Sequence, residues 1–159
     1  GKRTAAKPVR EKTPNAKAAR AKATHKVSSK AKQDAAEQSE VELAKQLGAK
    51  KSGDNAPMDV TIDDLHGVEV KTLLDNANDK ITMHPHSRRR KEEWAAQKRG
   101  RTLHTVVIDK RDSFGGGEYR HQFSGCRIYY KSGVGAFRDG KMQCVSSFAA
   151  LRKIIRGAA

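Results

Sequence analysis

The chain has 159 residues, with 33 Lys and Arg against 18 Asp and Glu, and a formal net charge of +15. That length allows one domain and a tail, and no run of about eighteen apolar residues is present, so neither a membrane span nor a membrane partner is expected. The basic start leads into no apolar run, which argues against a signal peptide, and Cys126 and Cys144 lack the close spacing of a zinc or redox motif, which points to a reduced compartment.

The charge is uneven. Residues 1–33 hold eleven Lys or Arg and one acid, Glu11, and so carry +10 of the total. They contain no Leu, Ile, Met or aromatic residue, too little apolar surface to offset the entropy of ordering. Residues 1–38 are therefore expected to be a disordered basic arm, attracted to phosphates through counterion release or serving only as a solubilising linker. A first residue of Gly rather than Met suggests a piece excised from a longer chain. A single α/β domain is expected over 39–159.

That domain opens with a predicted helix, Ser39 to Ala49, capped by Ser39, carrying Glu40 and Glu42 at its positive end and stopped by Gly48. Lys50 to Pro57 reads as a loop. Met58 to Ile62 and Val68 to Leu73 read as two strands joined by a turn over residues 63–67, followed by a second turn and a short extended run at Ile81 to His84. Ser87 is the expected cap of the next helix, which Gly100 ends and in which Trp94 is the core anchor. Thr102 to Lys110 has an unbroken apolar centre, as in a strand covered on both faces. A glycine-rich loop follows, then two strands around residues 126–132 and 141–147, and an amphipathic helix burying Phe148, Leu151, Ile154 and Ile155. This order predicts a mixed central β-sheet flanked by helices.

Successive side chains of a strand point to opposite faces, so Val68 and Val70 can face a core while Glu69 and Lys71 share the other side. The hairpin would bring Asp59 to the same place. Two carboxylates can complete a magnesium site together with water and a substrate phosphate. A lysine beside them could orient an attacking water or stabilise the phosphorane. The bland alternative is a solvated Glu–Lys salt bridge.

The pattern Asp59-x9-Glu69-x-Lys71, on a hairpin preceded by a helix and followed by a helix and a buried strand, resembles the PD-(D/E)XK nuclease superfamily. The resemblance covers roughly residues 40–110. It implies a restriction-endonuclease-like core and a Mg2+- or Mn2+-dependent endonuclease. The implied ligands are Asp59 and Glu69, with Lys71 completing the catalytic set. One departure is Met58, which stands where many members have Pro. Family members often carry a further acid on the first helix, which makes Glu40 or Glu42 a candidate; both are equally explained as first-turn acids. The downstream block is similar to C-terminal extensions of phage minor head or head-morphogenesis proteins, which implies a parent phage or toxin polypeptide and a location in the bacterial host cytoplasm or the virion.

Other residues compete for these roles. Asp63 and Asp64 lie in the turn, where Asp is common for backbone reasons, so Asp59 is preferred. Arg88, Arg89, Arg90 and Lys91 fall at a helix start, where a nucleic-acid phosphate could dock, or form a solvated face. His84 and His86 form an H-x-H that could bind metal or serve as acid and base, yet no third ligand follows. His66 sits near Glu69, while His104 and His121 read as structural. Gly135 to Met142 imitates a phosphate loop without its hydroxyl. The expected activity is cleavage of nucleic acid, double-stranded DNA before RNA, with a homo-oligomer left open. A noncatalytic packaging or structural binder is the chief alternative. A metal-independent ribonuclease using His84 or His86 with an arginine is the other.

Overall fold

The computed structural model describes residues 28–53, 55–74, 80–111, 126–135, 137–138 and 141–157. Helix α1 spans Ser29–Leu47, ten residues earlier than the expected start at Ser39. Ser28 is its cap, accepting from the Ala31 amide at 3.1 Å. The Ala-, Lys-, Gln- and Glu-rich run after it consists largely of strong helix formers, and Ala35 within it is fully buried. Ser39 therefore lies mid-helix, where its hydroxyl accepts from Thr72 Oγ1 at 2.7 Å. Glu40 and Glu42 are no longer first-turn acids. Gly48 ends the helix in the left-handed conformation, φ 64°, as its sequence position predicts. Of the basic arm expected over 1–38, residues 29–38 are thus helical and residues 1–27 lie outside the described residues.

The strands that follow are β1 (Lys50–Lys51), β2 (Val60–Ile62), β3 (His66–Leu73) and β4 (Lys80–Ile81). Helix α2 spans Pro85–Ala96 and is capped by His84, whose Nδ1 accepts from the His86 amide, with Pro85 at the first helical position. The expected cap at Ser87 is displaced because proline suits the first turn, where its missing N–H costs nothing. Then come β5 (Thr102–Asp109), β6 (Arg127–Ser132), β7 (Phe137–Arg138), β8 (Gln143–Val145) and helix α3 (Phe148–Gly157). The glycine-rich loop expected over 111–125, with His121, lies almost wholly outside the described residues. Of the turn expected over 133–140, residues 136, 139 and 140 also lie outside the described residues, and 137–138 form β7.

Six strands form one open mixed sheet in the order β1-β2-β3-β5-β6-β8, and β4 pairs with β7 apart from it. Neighbours in the large sheet run antiparallel except β3 and β5, which are parallel. Their connection contains α2, as a parallel crossover requires. The sheet is covered on both faces, so β5 is buried from His104 to Asp109, in line with its apolar sequence.

One face packs against α1 and α3. Leu43 and Leu47 of α1, Val60, Ile62, Val68, Val70, Val106 and Ile108 of the sheet, and Leu151 and Ile155 of α3 form a single core. The other face receives α2. A Cβ on Gly67 would meet Trp94 Cζ3 at 2.7 Å and Met58 Cγ at 2.9 Å, so the indole sits directly on the β3 backbone. Arg101 stacks on that indole, 4.1 Å from the ring centroid.

A polar chain crosses the start of β3 and β5 on the α1–α3 side. His66 Nδ1 lies 2.9 Å from Thr102 Oγ1, which lies 2.8 Å from His104 Nε2, while His104 Nδ1 is 2.7 Å from the Tyr130 hydroxyl. Among the described residues no helix is long and apolar enough to cross a membrane.

Candidate active site

The hairpin of β2 and β3 is closed by a tight turn in which the Leu65 amide donates to the Ile62 carbonyl at 2.9 Å. Asp63 and Asp64 both adopt φ 55°, the sign required by the primed turns that suit strand twist. This turn fixes the register, with Val60 opposite Val68. Asp59 stands one residue before the ladder, on the Glu69 side of the strand.

There its side chain replaces the missing strand: the Val70 amide donates to Asp59 Oδ2 at 2.9 Å. The carboxyl is pushed up to about 7, first by burial and then by the Glu69 charge. Glu40 raises it further, while the Val70 amide and Lys91 oppose the rise. Below that pH the Asp59 group holds a proton in answer to its acidic neighbours.

Glu69 is only 6 % exposed. Lys71 Nζ lies 3.2 Å from its Oε2 and Lys91 Nζ lies 3.0 Å from its Oε1. Although the second distance makes an ion pair, no donor is aligned on Oε1, which is buried without a hydrogen bond. Distance suffices for Coulomb attraction, whereas a hydrogen bond also needs angle. Lys71 is 36 % exposed at its side chain and so faces the opening. Lys91, 6 % exposed, lies on the inner side and donates to the Pro57 carbonyl. Thr105 of β5, paired with Glu69, donates its hydroxyl to the Gly133 carbonyl at 2.7 Å.

The first helix contributes Glu40. It acts on Asp59 electrostatically and lies 3.9 Å from Lys51 Nζ of β1. Glu42, two positions on, accepts from Gln46 Nε2 at 2.6 Å on the outer surface. Residues two apart on a helix do not share a face, so α1 offers Glu40 to the acids and turns Glu42 away.

The remaining candidates are dispersed. Asp64 is held in the turn by Lys98 at 3.2 Å and Arg101 at 2.7 Å, which lower its pKa. Asp63 faces Arg156 at 3.8 Å. His66 begins β3 rather than the turn and points to the face opposite Glu69. His84 and His86 are exposed at the cap of α2. Arg88 pairs with Glu92 at 3.4 Å, Arg90 donates to the Asn55 carbonyl at 2.6 Å, and Arg89 is exposed. Lys91 parts company with these three.

The inward turn of Lys91 is the element missed in the sequence. Its signal is present: Lys91 and Trp94 are three apart, hence on one helical face, and a buried Trp94 carries Lys91 inward with it. A cavity of about 680 Å3 between α1 and α3, lined by Gln46, Arg152, Lys153 and Arg156, contains none of the acids and lies on the other layer.

Among the described residues no group of three or more His, Cys, Asp or Glu side chains is gathered as a metal cage. Magnesium does not require one, since it keeps several waters and binds through one or two carboxylates. Glu69 and Asp59, once the latter gives up its proton, are two neighbouring carboxylates, the number such a site takes. No family model, no curated protein and no solved structure matches this chain.

Proposed function

We propose that the chain is a divalent-cation-dependent nuclease of the PD-(D/E)XK type, with a restriction-endonuclease-like core, cutting duplex DNA in preference to RNA. The observation that carries this reading is the gathering of Asp59, Glu69 and Lys71 on one face of a hairpin, with the two acids close enough to raise the Asp59 pKa. The succession of antiparallel β1, β2 and β3, then α2 and a parallel β5, also supports it. The excess of Lys and Arg favours a polyanionic substrate.

Asp59 and Glu69 would hold Mg2+ or Mn2+, which supplies positive charge at the scissile phosphate when bound. The chain's own work is then division of labour. Asp59 is fixed by the Val70 amide, so one oxygen is oriented by β3 itself. Lys71, open to solvent and held by Glu69 Oε2, stands where an ammonium can align an attacking water and stabilise negative charge growing on the phosphate. Arg88 and Arg89, exposed on α2, would meet the backbone beside the cut.

Nicking of a supercoiled plasmid is expected with Mg2+ and not with chelator, and Glu69→Gln and Lys71→Met are each expected to slow it by about a hundredfold or more. Undiminished cleavage by either variant, or cleavage in chelator, refutes the mechanism. One observation favours a noncatalytic binder: Glu69 is flanked by two ammonium groups and so is neutralised within the chain. That alternative gives salt-sensitive binding without any nicking.

A further inference from the structure

A buried lysine that only braced the fold would satisfy its three donors on carbonyls or carboxylates in good geometry. Lys91 does not. Its ammonium donates to the Pro57 carbonyl and stands 3.0 Å from Glu69 Oε1, yet that oxygen accepts no hydrogen bond. The attraction is one of charge without alignment, at the oxygen of Glu69 that the other lysine leaves open. Lys71 stands 3.2 Å from Oε2, likewise as an ion pair.

We propose that Lys91 is a resident counterion of the free protein, occupying the charge place of a divalent cation at Glu69 and passing to a nucleic-acid phosphate when that cation binds. The proposal rests on the metal reading of Asp59 and Glu69. A cation at those carboxylates and the Lys91 ammonium would compete for Oε1 and repel one another. With Lys71 and the divalent cation both present, the acids are already neutralised, and the displaced ammonium becomes surplus positive charge in a confined site. The anion that can take it is the phosphate brought by the substrate. Arg90, the neighbouring residue, donates to the Asn55 carbonyl, so two consecutive side chains of α2 grip the segment before Asp59. A change of partner at Lys91 would loosen one of those two ties at the mouth of the site.

Linkage makes this measurable. If Lys91 is the shared element, DNA strengthens cation binding and the cation strengthens DNA binding by the same factor. Removing the ammonium should tighten cation binding in the absence of DNA and diminish that reciprocity. The experiment titrates Mn2+ alone, followed by electron paramagnetic resonance, into the full chain and its Lys91→Met variant. The titration is repeated with a phosphorothioate DNA duplex that resists cleavage. Expected is Mn2+ binding about fivefold or more tighter in Lys91→Met without DNA, with the enhancement by DNA reduced by a similar factor to the part the cation's own contact with phosphate supplies.

Mn2+ affinity unchanged or weakened in a Lys91→Met protein of native circular dichroism overturns the proposal while leaving the metal reading standing. If Lys91→Met fails to fold, Lys91→Arg serves instead: it keeps the charge, and an unaltered reciprocity in it supports the proposal while its loss overturns it. Absence of Mn2+ binding in both the wild type and the Lys91 variants, by contrast, removes the metal reading itself and the proposal with it.

Discussion

Asp59 serves at once as the end of a strand and as an acid of the site. Its Oδ2 accepts from the Val70 amide beyond the end of β2, so removing it costs the hairpin as well as the proposed chemistry. Asn at this position keeps an acceptor for Val70 and loses the charge; Ala loses both. The three residues Asp59, Glu69 and Lys71 could be read from sequence because a short hairpin fixes which side chains share a face. Glu40 and Lys91 could be read less well, since each depends on where a helix starts and how it is rotated. A second residue-scale result is His104, fully buried and pushed down to about 4 by burial and by its neighbour His66. The folded state therefore holds His104 neutral while the unfolded state, with an ordinary value near 6.5, takes up a proton. Stability from this group is complete above pH 6.5 and is lost as pH falls towards 4, with a ceiling of about 3 kcal/mol. Asp59, raised to about 7, acts in the opposite sense over the same range, so the contribution of His104 is read as a difference: between pH 7 and pH 4.5 the urea midpoint of wild type is expected to lose ground relative to that of His104→Gln, and parallel profiles contradict it.

The element that sets the site is α2. Its position depends on Gly67, where the indole of Trp94 and the thioether of Met58 occupy the space of a side chain. Gly67→Ala would force both apart, and overpacking of this kind costs about 1–3 kcal/mol. Because Lys91 lies one turn from Trp94, the same change should also shift the ammonium from Glu69. Urea denaturation should show the loss, and an unchanged midpoint would mean that α2 adjusts freely. Strand positions were legible where the apolar pattern was strong, as in β3, β5 and β6. Helix starts were less so. Ser39 and Ser87 both look like caps in the sequence, but the helix-forming run after Ser28 and the Pro85 at the first turn of α2 moved each start upstream. The αL glycine at Gly48 was unambiguous, because few other residues tolerate that conformation.

At the scale of the whole molecule the sheet separates two environments. The α1–α3 side is an apolar core with a buried histidine chain, and the α2 side carries Asp59, Glu69, Lys71 and Lys91, with Glu40 of α1 and Lys51 of the edge strand β1 beside them. Those charges are balanced without help from outside: Lys71 and Lys91 face Glu69, Lys51 faces Glu40, and Asp59 can hold a proton. Under the proposed function, chelator is therefore expected to stop cleavage while moving the melting temperature by less than about 4 °C, the shift worth about 1 kcal/mol in a chain of this size. Scanning calorimetry with and without chelator checks it, and a larger drop would assign the cation to the fold. The order of the elements predicted a mixed sheet but not which of its strands would run parallel. The parallel pairing of β3 with β5 was not announced, because it joins segments separated by a whole helix and depends on tertiary packing. That pairing also orders events in time. The hairpin closes over a few residues and so can form in microseconds, whereas β5 and α2 must come back across a long loop. On this ordering Asp59 and Glu69 would meet with Lys71 of the same hairpin before Lys91 arrives, and two carboxyl groups would then share a single ammonium, the stage at which a proton or a hard ion would ease their approach.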